Sequence, residues 1–139
     1  MIPEFNKDGC LPKGVYKATL EEIKEKFGKG SARREKLFRG IVSVVKLLRE
    51  HKGSVSRFLL NGSYVTSKEE PGDFDYILIL KNDFDLDSPE ARQLLCSEEL
   101  FNAHMLFAME EDTTECQEVI GFFGHDREAR SKGLVEVIL

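Results

Sequence analysis

The feature that most constrains this chain is the pair of segments Phe58-Leu59-Leu60-Asn61-Gly62-Ser63 and Asp73-Phe74-Asp75-Tyr76-Ile77-Leu78-Ile79-Leu80. The first is an apolar run that ends in Gly-Ser. After nine intervening residues the second opens with aspartates at i and i+2. Strand side chains alternate between faces, so Asp73 and Asp75 emerge on one side, about 6–7 Å apart along the strand. Two carboxylates so placed repel each other and call for a cation or protons. A glycine lets backbone N–H groups approach an anion, and a serine hydroxyl adds a donor, so Gly62 and Ser63 suit a phosphate.

Around this centre the chain reads as one domain spanning residues 1–139, long enough to bury roughly two-thirds of its unfolded surface. Residues 1–18, with Pro3, Gly9, Pro12 and Gly14, read as an extended arm packed on that domain through Ile2, Phe5, Leu11, Val15 and Tyr16. Thr19-Leu20-Glu21-Glu22 matches a capping box, opening a short helix that Gly28 would close in the left-handed conformation. A second helix is expected from Ser31 to about His51, with Leu37, Ile41, Val44, Val45 and Leu48 as its apolar stripe. Arg33, Arg34, Lys36 and Arg39 in its first turns read as a solvated face, because cations at a helix N-terminus oppose the macrodipole.

Strands are expected at 55–60 and 73–80, with a short helical turn after Ser63. In the second strand Ile77 and Ile79 share the aspartate face while Phe74, Tyr76, Leu78 and Leu80 line the other, as in a central strand covered on both sides. Ser88 and Pro89 start a helix running to about Leu100. A strand at 103–109, a helix at 114–123 with Gly124 near its end, and a last strand at 134–139 complete the order. The fold class is therefore α/β (α+β), with a small mixed sheet and flanking helices.

Several classes are disfavoured. A net charge of −5 argues against a sequence-independent nucleic-acid binder, and no sequence-specific DNA binding is expected. No apolar run nears the roughly 20 residues that span a bilayer, and the opening Met1–Phe5 lacks the pattern of a secretory leader, so no membrane role and a cytoplasmic location are expected. Cys10, Cys96 and Cys116 fit neither a disulfide framework nor a zinc site and read as reduced thiols. Asp83, Asp85 and Asp87 lack the glycine and closing glutamate of a calcium loop. His125-Asp126-Arg127 reads as a polar helix end.

Leu60-Asn61-Gly62-Ser63 and Asp73-Phe74-Asp75-Tyr76 resemble the apolar-Gly-Ser turn and Asp-x-Asp strand start of the nucleotidyltransferase superfamily, which includes DNA polymerase beta and the small prokaryotic minimal nucleotidyltransferases. Ile2-Pro3-Glu4-Phe5, Asp8-Gly9, Leu11-Pro12, Gly14 and Lys132-Gly133 extend the likeness to a group of small nucleotidyltransferase-like proteins from bacteria. The resemblance implies a nucleotidyltransferase fold in which Asp73 and Asp75 are catalytic and hold one or two Mg²⁺ ions. It implies an NTP whose terminal phosphates meet Gly62 and Ser63, with positive charge from Lys132, Lys68 or Arg127. Its acceptor would be a hydroxyl of a protein or RNA, since small stand-alone members often belong to toxin–antitoxin or defence modules. The family's third carboxylate comes from a neighbouring strand. His104 stands at that position here, with Glu136 or Glu110 as acids that could substitute. The alternative is a catalytically degenerate protein of this fold that binds a nucleotide or a protein partner.

Overall fold

The computed structural model of the chain describes residues 2–50, 54–96, 101–123 and 132–139. Its elements are β1 (Val15–Ala18), α1 (Leu20–Phe27), α2 (Ala32–Glu50), β2 (Val55–Asn61), a 3₁₀ turn (Ser63–Val65), β3 (Phe74–Leu80), α3 (Pro89–Leu95), β4 (Ala103–Met109), α4 (Thr113–Phe123) and β5 (Leu134–Val137). The five strands form one mixed sheet in the order β1-β5-β2-β3-β4. β2 is antiparallel to β3 and β5, whereas β1 runs parallel to β5 and β4 parallel to β3. This is the expected α+β class with a small mixed sheet and flanking helices.

Local signals explain most element boundaries. Thr19 caps α1, with its hydroxyl accepting from the Glu22 amide (3.2 Å) and a Glu22 carboxylate oxygen accepting from the Thr19 amide (3.2 Å). The Ser31 hydroxyl accepts from the Arg34 amide (3.1 Å) at the head of α2, and Ser88 caps α3 ahead of Pro89. α2 turns Leu37, Ile41, Val44, Val45 and Leu48 fully inward, as their spacing requires. Gly28 departs from expectation. Its φ of −92° is not left-handed. A Cβ there would press on the Phe38 ring (2.9 Å), so the glycine serves the close approach of α1 to α2, and the left-handed glycine of that loop is Gly30, with φ +106°.

The sheet separates two apolar layers of unequal depth. Phe58, Leu60, Phe74, Tyr76, Leu78 and Leu80 face the larger core, which holds the buried residues of α1 and α2. Leu59, Ile77, Ile79, Ala108 and Leu134 face the other side, where Cys116, Val119 and Ile120 of α4 cover them. β3 is thus a central strand buried on both faces. The fifth strand comes from the arm, whose 15–18 segment pairs with β5. The rest of the arm is also tied down: Leu11 is buried, the Leu11 carbonyl accepts from the Gly133 amide (2.9 Å), and the Gly9 carbonyl accepts from the Ser67 amide (2.9 Å). Among the described residues, no helix is long and apolar enough to cross a membrane.

Candidate functional site

β2 and β3 meet at one end of the sheet, where Asn61 pairs with Asp75 and the chain leaves β2 through Gly62 and Ser63. Gly62 has φ +77°, a conformation L side chains rarely adopt, and a Cβ on it would collide with Asp75 Oδ2. The two halves of the sequence motif are therefore in contact: the glycine is the surface against which the second aspartate rests. The chain then tightens into the 3₁₀ turn, with the Ser63 carbonyl accepting from the Thr66 hydroxyl (2.6 Å) and amide (3.2 Å).

The parallel pairing of β3 with β4 sets Asp75 beside His104. His104 Nδ1 lies 3.0 Å from Asp73 Oδ2 and 3.1 Å from Asp75 Oδ1. One ligand atom from each of the three residues falls within 4.8 Å of the other two. The cluster is open to solvent: the side chains of Asp73, Asp75 and His104 are 34%, 29% and 67% exposed. Burial, and then repulsion from Asp73, push the Asp75 carboxyl above its ordinary range, opposed by His104 and by the positive charge of Lys132. Lys132 is thus within electrostatic reach of Asp75, next to the Gly133 that the arm holds.

The other sequence candidates fall elsewhere. Glu136 points to the same face of the sheet but pairs with Leu59, on the far side of β2, and its carboxylate accepts from Arg57 at 2.6 and 3.0 Å. It does not complete the aspartate cluster. Glu110 follows the opposite end of β4, where its amide donates to the Leu80 carbonyl. Lys68 contributes a backbone carbonyl to Arg34, and its side chain is exposed. Arg127, with the rest of His125-Asp126-Arg127, and Gly124 lie outside the described residues.

Two residues that bear on the site carried no separate reading in the sequence. Asn61 is 2% exposed and its Oδ1 has no hydrogen-bond partner, directly across from Asp75. A polar residue closing an apolar strand just before the glycine was the available signal. Arg34, grouped with a solvated face, is instead buried at 6% exposure. Its Nη1 donates to the Phe27 and Tyr64 carbonyls (3.1 and 2.8 Å), its Nη2 to Thr66 and Lys68 (2.7 and 2.5 Å), and its Nε to Lys68 (3.1 Å). All five guanidinium donors end on main-chain carbonyls, those of Tyr64, Thr66 and Lys68 in the segment after Ser63 and that of Phe27 at the end of α1. Arg33, Lys36 and Arg39 are exposed as expected.

The donor set fits a divalent cation but agrees poorly with Mg²⁺ at all three positions. Two carboxylates suit a hard ion that keeps water and phosphate oxygens in its remaining places, whereas an imidazole suits softer transition metals.

No curated protein and no solved structure matches the chain. A family model described as a family of unknown function, DUF6932, matches residues 3–138, so the chain belongs to that family.

Proposed function

We propose that the chain is a metal-assisted nucleotidyltransferase that moves an NMP from an NTP to a hydroxyl of a protein or RNA acceptor. The observation that carries the reading is the contact of Asp75 with Gly62, which sets a Gly-Ser turn suited to phosphate against a pair of carboxylates suited to a cation. In this reading Asp73 and Asp75 hold the cation at the strand mouth. The Gly62 and Ser63 backbone and the Ser63 hydroxyl receive the terminal phosphates, and Lys132 balances the added negative charge. A bound divalent ion would supply neutralisation of the triphosphate and a lowered barrier to attack by the acceptor hydroxyl. The chain's own part is to position these groups, which is where most catalysis of phosphoryl and nucleotidyl transfer originates. The proposal extends to a cytoplasmic setting and to a toxin–antitoxin or defence role.

The test is incubation of the purified chain with each α-labelled NTP and cell extract, in Mg²⁺ and separately in Mn²⁺ or Co²⁺. Label should pass to a macromolecule and should vanish in the Asp73→Ala/Asp75→Ala double variant. Labelling that survives the double variant would show that these aspartates are not the site. The second reading, a protein of this architecture that binds a nucleotide without turning it over, is favoured by His104 standing where the family's third acid is expected. Its signature is retention of NTP by the wild type with no transfer in any ion.

A further inference from the structure

The imidazole at the centre of the aspartate pair carries an inference about the metal itself, and it rests on the reading of this corner as a cation site. Ligand atoms at about 2.0–2.2 Å from a common ion, at right angles to one another, stand about 3 Å apart. His104 Nδ1 has that separation from both Asp73 Oδ2 (3.0 Å) and Asp75 Oδ1 (3.1 Å), where without an ion it hydrogen-bonds Asp75 and where an ion would take the place of the shared proton. Asp75 and His104 are paired in the β3–β4 ladder and Asp73 is the residue immediately before β3, so two of the three donors are set by backbone pairing and the third is one residue from it. Beside them lies an independent sign that a polar group is wanted here: the Oδ1 of Asn61, buried and without a partner, on the strand position paired with Asp75. Buried polar atoms are nearly always satisfied, and one orphaned next to a donor cluster fits a hydrogen bond to a water on a bound ion.

We infer that Asp73, Asp75 and His104 Nδ1 form a one-histidine, two-carboxylate centre that selects a divalent transition metal of the Fe²⁺-to-Zn²⁺ group over Mg²⁺. The selectivity comes from His104. Carboxylates accept every divalent ion, and affinity for transition metals exceeds that for Mg²⁺ most where nitrogen is among the donors. The three ligands leave positions open, as a site that must also admit substrate oxygens requires. Arg57 holds Glu136 on the other side of β2, so the described chain offers no fourth acid that would restore a hard, all-oxygen set.

Co²⁺ titration of the full-length metal-free chain, followed by visible absorption and in competition with Mg²⁺ and without nucleotide, tests this directly. The expected result is a saturable site that prefers Co²⁺ to Mg²⁺ by about a hundredfold or more. His104→Ala should weaken Co²⁺ by about tenfold or more, and His104→Asp should narrow the Co²⁺-to-Mg²⁺ ratio by about the same factor while raising Mg²⁺ affinity. Asp75→Asn should remove both ions. Far-UV circular dichroism confirms that the variants fold, which the exposure of His104 favours. Co²⁺ affinity unchanged in His104→Ala would overturn the inference, as would a spectrum dominated by thiolate charge transfer, which would put the ion on a cysteine. The two proposals fail separately: a chain that binds Co²⁺ through His104 but transfers no nucleotide rejects the enzyme, and one that transfers nucleotide in Mg²⁺ regardless of His104 rejects the metal selectivity.

Discussion

Gly62 and Arg34 illustrate how single residues hold the candidate site in shape. Gly62→Ala faces both a positive φ and the Asp75 carboxylate, and should cost about 1–3 kcal/mol in urea unfolding. Adding Asp75→Ala should recover part of that loss, since the collision but not the backbone strain is then relieved. A double-mutant cycle with no coupling would show that the two residues do not touch. Arg34→Lys should lower stability by about 3 kcal/mol or more, because an ammonium has three donors and no fork to reach four separate carbonyls. A variant within about 0.5 kcal/mol of wild type would mean that water satisfies those carbonyls equally well. For Asp75 the sign of the pH effect follows from its raised carboxyl, which burial causes first and Asp73 second. A group that binds its proton more tightly in the folded state stabilises fully below the unfolded carboxylate range and loses that contribution as pH rises through the raised value. In metal-chelated buffer Asp75→Asn should therefore be more stable than wild type near pH 7, and the gap should close below about pH 4. A gap that widens on acidification would reverse the assignment.

At the level of elements, the two layers of the sheet predict different sensitivities. α2 contributes five wholly buried aliphatic residues to the larger core, whereas α4 covers the other face with Cys116, Val119 and Ile120, all partly exposed. Leu48→Ala should cost about 2–5 kcal/mol by denaturant titration, and Val119→Ala clearly less. Equal losses would mean that α4 is packed as deeply as α2. The same layer shields a thiol: Cys116 Sγ donates to the Met109 carbonyl (3.1 Å), and burial together with Asp112 and Glu115 pushes the thiol up. Cys96 is exposed. Titration with a disulfide reagent at pH 8 should modify Cys96 well before Cys116, because the thiolate is the reacting species. These layers were readable from alternation in β3 and from the stripe of α2. Strand β1 was not, since four residues inside a Pro- and Gly-punctuated arm carry too little periodicity to register, and its pairing partner lies more than a hundred residues away.

At the scale of the molecule, the N-terminal arm joins the site to the rest of the fold. It places Leu11 in the core, holds Gly133 through the Leu11 carbonyl and so fixes the segment that brings Lys132 toward Asp75. Leu11→Ala should lower stability by about 2–5 kcal/mol in thermal or urea unfolding, a loss typical of core leucines and out of scale for a loosely attached arm. A change under about 0.5 kcal/mol would show the arm to be dispensable.

Local interactions were sufficient to determine the helix starts at Thr19, Ser31 and Ser88, the buried faces of α2 and β3, and the sharing of one side by Asp73 and Asp75. Each depends on residues within a few positions of one another, where capping, helical period and strand alternation act. Tertiary structure alone decided what surrounds the aspartates. The β3–β4 register, closed over 29 residues, put His104 Nδ1 against both carboxylates, and the β2–β5 pairing gave Glu136 to Arg57. Packing buried Arg34 among carbonyls from 27 to 68, and made Gly28 a contact with Phe38 instead of a left-handed cap. Such partners are set by which strands and helices meet, and the energy that selects them comes from burying the whole sheet, not from any short stretch of chain.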